Sequence, residues 1–76
     1  MEIKIYSTPT CPYCKLAKDY FTSKDIAFQD IDVSVNKAAL DEMVKISGQM
    51  GVPVISIDGE VTVGFDKARI ESLLSR

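Results

Sequence analysis

Apolar and polar side chains alternate through Glu2-Ile3-Lys4-Ile5, the two-residue period of a strand with one face turned to a core. From Pro12 to about Lys24 the period lengthens. Cys14, Ala17 and Phe21 recur at three- and four-residue steps, Leu16 and Tyr20 widen the same face, and Lys15, Lys18 and Asp19 are left for water, which predicts an amphipathic helix. Ala27 to Val33 returns to strand composition, although Phe28 and Ile31 break strict alternation and leave its register open. Leu40, Met43 and Val44 then supply the inner face of a second helix, extended by Ile46. Ser34 or Asn36 can cap its start, and Gly48 is placed to end it with a positive φ.

Beyond the loop Gln49-Met50-Gly51-Val52 and Pro53, the runs Val54–Ile57 and Glu60–Val63 flank Asp58-Gly59. That dipeptide suits a two-residue hairpin turn, whose central residues both need positive φ. Gly64-Phe65 turns the chain again, Asp66 can cap a last helix, and Ile70, Leu73 and Leu74 give that helix one apolar stripe. The predicted order is β-α-β-α-β-β-α, a parallel β-α-β unit followed by a hairpin and a closing helix. The expected class is α/β, with a four-stranded mixed sheet and three helices.

Seventy-six residues allow one domain, 1–76, near the lower size at which a core forms without metal or disulfide help. Hydrophobic content of 46% and the absence of repeats or low-complexity stretches point to a packed globule. Nine basic and eleven acidic side chains leave a net charge of −2 without a basic cluster, so a nucleic-acid partner is not expected. No apolar run is long enough to cross a bilayer, so no membrane role is expected. The alternating N-terminus lacks the continuous apolar stretch of an export signal, and a cytoplasmic location is expected.

Chemistry enters with Cys11-Pro12-Tyr13-Cys14, which holds the only two cysteines and follows the first strand across the loop Ser7-Thr8-Pro9-Thr10. In a reducing compartment a lone pair of cysteines is catalytic or metal-binding more often than a structural disulfide. Two thiols at this spacing suit disulfide exchange: one attacks, and the other resolves the mixed disulfide. Pro12 fits the first helical position, and the N–H groups of that helix start favour a thiolate at Cys11. Lys15 and Lys18 add positive charge on the same helix, either as modulators of the thiol or as plain solvated residues. Cys14, one turn in, is expected to be more buried and to act second. A zinc site within one chain would need two further Cys or His ligands, and the sequence has none. A dimer sharing both cysteines from each subunit, holding zinc or an iron–sulfur cluster, is the non-enzymatic alternative.

With Cys11-Pro12-Tyr13-Cys14, Val52-Pro53 and Gly64-Phe65-Asp66 in this order, the whole chain resembles the glutaredoxins, which have a thioredoxin-like fold. The resemblance implies Cys11 as nucleophile, Cys14 as resolving thiol, and a cis bond at Val52-Pro53 whose backbone pairs with the bound substrate. It further implies that Gly64, Phe65 and Asp66 face the γ-glutamyl end of glutathione, with Gln49 near its glycine carboxylate and Tyr13 packed beside it. No bound cofactor is implied, and glutathione would be the cosubstrate. Disulfide-containing or glutathionylated proteins would be the partners of a monomer. Two positions depart from the family pattern: Thr8 stands where many members carry a basic residue, and Val63 replaces the first glycine of the usual pair. Gly64-Phe65 also looks like the corresponding turn in the glutaredoxin-like electron donors of ribonucleotide reductase, which thioredoxin reductase reduces.

Overall fold

The structure is a computed structural model that describes residues 2–75. Its elements are β1 (Ile3–Ser7), α1 (Pro12–Ser23), β2 (Gln29–Asp32), α2 (Lys37–Ser47), β3 (Val54–Ile57), β4 (Glu60–Val63) and α3 (Lys67–Leu74). One sheet takes the order β2-β1-β3-β4, with β1 parallel to β2 and antiparallel to β3, and β3 antiparallel to β4. This is the expected mixed sheet, with β1 near its centre.

Alternation in β1 and β3 sorts the core onto the two faces of the sheet. Ile3, Ile5, Ile55 and Ile57 pack with Ala17 and Phe21 of α1 and with Ile70 and Leu73 of α3. Tyr6 and Val54 point the other way, onto Met43 of α2 and Val33. Each fully buried side chain of this size contributes about 1.5–3 kcal/mol. Helices on both faces also explain the irregular second strand. Phe28 joins the α1 side and Ile31 the α2 side, so neither face of that segment is left to polar residues alone. The strand itself is shorter than the expected Ala27–Val33 segment.

The element ends follow local chemistry. Asn36, rather than Ser34, caps α2, its Oδ1 accepting the Ala39 N–H at 3.0 Å, and Gly48 closes that helix at φ +76°. Asp66 caps α3 by accepting the Arg69 N–H at 3.2 Å. Asp58 and Gly59 both have positive φ, 49° and 88°, as the hairpin requires. The same turn holds the start of β1: the Glu2 N–H donates to Asp58 Oδ1 at 2.7 Å, and the Asp58 N–H returns a bond to the Glu2 carbonyl at 2.8 Å.

Three side chains depart from the simple stripe reading. Leu16 and Ile46 are exposed, whereas Lys18 is half-buried. At about 100° per residue, Lys18 lies closer to the centre of the Cys14, Ala17 and Phe21 stripe than Leu16 does, so α1 tucks the lysine against the sheet and turns the leucine outward. Ile46 lies at the edge of the α2 stripe for the same reason.

Tyr6 is buried, and its Oη donates to Glu42 Oε1 of α2. Burial, the bond to Glu42 and the charge of that carboxylate push the phenol up to about 12. The folded state therefore holds this proton more tightly than the unfolded chain does, so its contribution is present below about pH 10 and is lost as pH rises toward 12. The urea midpoint should fall across that interval. In Tyr6→Phe the fall should be smaller, and an equally steep fall in that variant would assign the alkaline transition elsewhere.

Candidate active site

The two cysteines sit where β1 hands over to α1. Cys11 is the N-cap of α1, with extended φ and ψ of −92° and 113°, and Pro12 occupies the first turn. The Cys11 carbonyl accepts the Lys15 N–H at 3.3 Å, while its Sγ accepts the Cys14 N–H at 3.2 Å. A thiol thus takes the capping role that Ser or Asp usually fills, and the helix start aims an N–H group at sulfur. Both cysteines are free thiols, Cys11 half-buried and Cys14 only 1% exposed.

A second loop completes the site from the other side. The Val52–Pro53 bond is cis, and the Val52 carbonyl lies 3.8 Å from Cys11 Sγ. Pro53 is buried, and its carbonyl accepts the Gly64 N–H at 2.8 Å. Gly64 has φ +78°, a backbone that L side chains rarely adopt. Cys11, Cys14, Val52, Pro53 and Gly64 are therefore joined by an unbroken set of contacts. Three exposed apolar side chains, Tyr13, Met50 and Val63, project from the segments that carry them. The sequence marks Val63 only as a departure from the family's turn and gives no signal for Met50.

The other sequence candidates are engaged locally. Gln49 folds back on its own loop, its Nε2 donating to the Gly51 carbonyl at 3.0 Å while its Oε1 accepts the Gly51 N–H. Phe65 turns into the core, where its ring meets Tyr20 edge-on at 5.8 Å between centroids. Asp66 spends its Oδ1 on the helix cap. Among the described residues no group of three or more His, Cys, Asp or Glu side chains is placed to hold a metal ion. No described helix is long and apolar enough to cross a membrane.

Burial pushes the Cys14 thiol up to about 11, and a side-chain hydrogen bond with Cys11 and the charge there add to the rise; the Thr8 backbone and the Lys18 charge act against it. Beneath Cys14 lies a polar cluster that the sequence reading missed. Lys18 Nζ is 3.0 Å from Asp30 Oδ1 of β2, and the same oxygen accepts from the buried Ser7 Oγ of β1 at 3.1 Å. Its one sequence signal is the four-residue step from Cys14 to Lys18.

Comparison with known proteins gives the same outline. A family model described as Glutaredoxin matches residues 3–62. A glutaredoxin-like 8.6 kDa protein of a rubredoxin operon in Clostridium pasteurianum is 53% identical over 74 residues, covering 97% of this chain and 99% of the relative. Glutaredoxin 3 of Escherichia coli is 42% identical over 65 residues, covering 86% of this chain and 78% of the relative. The solved NrdH-redoxin of Escherichia coli, titled as a glutaredoxin-like protein with a thioredoxin-like activity profile, superposes with a TM-score of 0.83 at 26% identity, covering 96% of this chain and 95% of that one.

The difference in burial between the two thiols should be directly readable. Brief treatment of the reduced protein with iodoacetamide near neutral pH should label Cys11 and leave Cys14 unmodified, with both labelled in urea. Peptide mass spectrometry distinguishes the sites, and equal labelling of both in the folded protein would contradict the arrangement.

Proposed function

Because the chain belongs to the glutaredoxin family of thioredoxin-fold thiol oxidoreductases, we propose that it reduces disulfides by a two-thiol cycle run by Cys11 and Cys14. Cys11 as thiolate attacks a disulfide R–S–S–R′, forming a Cys11–S–S–R bond and releasing R′S⁻, which takes a proton from water. Cys14 then loses its proton and attacks Cys11 sulfur. The Cys11–Cys14 bond forms, the bond to R breaks, and RS⁻ departs. Substrate gains two electrons and the cysteine pair loses them. The observation that carries this reading is the pairing of a half-exposed sulfur at a helix start with a buried thiol one turn behind it.

Each remaining group has a place in the cycle. The Val52 backbone, beside Cys11 Sγ, lines the approach of an incoming sulfur, and Tyr13, next to Cys14 and exposed, offers an aromatic ring to a bound substrate. Disulfide-containing and glutathionylated proteins are the substrates on this reading, glutathione is a cosubstrate, and the protein works as a cytoplasmic monomer without a bound cofactor.

A second reading concerns the source of electrons. Gln49 is closed onto Gly51, and Thr8 brings no positive charge where a glutathione carboxylate would need one. Both features favour a protein reductant of the thioredoxin-reductase type, and with it a role as electron donor to ribonucleotide reductase.

Cys11→Ser should abolish turnover on every substrate. Cys14→Ser should keep deglutathionylation, where glutathione can release the mixed disulfide, and lose reduction of protein disulfides. Activity retained in Cys11→Ser would reverse the roles. Re-reduction of the oxidised protein, followed separately with glutathione plus glutathione reductase and with NADPH plus thioredoxin reductase, decides between the two electron sources.

A further inference from the structure

Cys14 has to become an anion to resolve the mixed disulfide, yet it is buried where an anion is disfavoured. The groups around it are few. Its own N–H donates to Cys11 Sγ, the charge of Lys18 one helical turn on acts on it, and so does the Thr8 backbone of the loop after β1; β2 contributes Asp30, which reaches Lys18, and β1 contributes Ser7, which reaches Asp30. Lys15, the other nearby cation on α1, is exposed and paired with Asp19 at 3.0 Å. Among the described residues, Lys18 is thus the cation whose charge acts on the buried thiol. Its four-residue spacing from Cys14 stacks the two on one helix face. Its side chain is also held rather than free, 26% exposed against 77% for Lys15.

Resting on the two-thiol cycle, we propose that Lys18 is a positioning residue for the resolving step, an ammonium fixed by Asp30 and Ser7 so that its charge stabilises the sulfur anion of Cys14 as it attacks Cys11. In that step Cys14 gives its proton to solvent, the Cys11–Cys14 bond forms, and the substrate thiolate leaves with the electron pair of the broken bond. Lys18 exchanges no proton and forms no bond. Attack by Cys11 precedes this demand, so the two halves of the cycle depend unequally on Lys18. The size of the effect follows from exchange chemistry. A shift of about one pKa unit leaves about tenfold less thiolate, and a Brønsted slope of about 0.4–0.5 returns about threefold in nucleophilicity, for a net slowing of about threefold near neutral pH.

The test uses the reduced full chain and a symmetrical thionitrobenzoate disulfide, which releases one coloured thiolate when Cys11 attacks and a second when Cys14 resolves. Stopped-flow absorbance separates the bimolecular first phase from the unimolecular second, from about pH 6 to about pH 10. Lys18→Met should slow the second phase about threefold near neutral pH and move its pH profile upward, changing the first phase less. Lys18→Arg, which keeps the charge, should restore the second phase. An unchanged second-phase profile in Lys18→Met, equal slowing of both phases, or a Lys18→Arg protein as slow as Lys18→Met would overturn the proposal. Persistence of both phases in Cys11→Ser would be a different failure, that of the two-thiol cycle itself.

Discussion

The junction between β1 and α1 governs the rest of the molecule, because it must present one sulfur to solvent and conceal another a single turn away. A helix start does this with little material. Its first residue is outside the helix and can be exposed, while the residue three positions on already lies on the inner face with Ala17 and Phe21. Pro12 at the first turn costs no hydrogen bond, since that position has no partner within the helix. The central place of β1 in the sheet holds the junction from both sides: β2 brings Asp30 beneath it, and β3 brings Pro53 beside it.

Burial and reactivity pull against one another here. The packing that hides Cys14 also protects it from solvent oxidants, and it raises the cost of ionising that sulfur. A half-buried cation on the same helix face offsets part of the cost without exposing the thiol.

Much of this was legible in the sequence where one local rule dominates. Asp58-Gly59, Gly48 and Asp66 mark a turn, a helix end and a helix cap through backbone requirements that few other residues meet. The cysteine spacing is equally local. What escaped notice depends on register between distant segments. Nothing near Asp30 indicates that it will face Lys18, because that meeting is set by the parallel pairing of Ile5 with Asp30. In the sequence Lys18 stands open between a solvated charge and a modulator of the cysteines, and placing β2 beside it is what holds it. Gln49 is a similar case: its amide is spent on its own loop because of the path the backbone takes between Ser47 and Gly51.

The bond pair between Glu2 and Asp58 marks a long wait during synthesis. β1 is made well before its antiparallel neighbour, which lies some fifty residues downstream. Until that neighbour emerges, β1 lacks the strand that pairs with it on that side of the sheet. The Val52 carbonyl beside Cys11 comes 41 residues after it in the chain, so for that interval of synthesis the sulfurs stand without the loop that faces them.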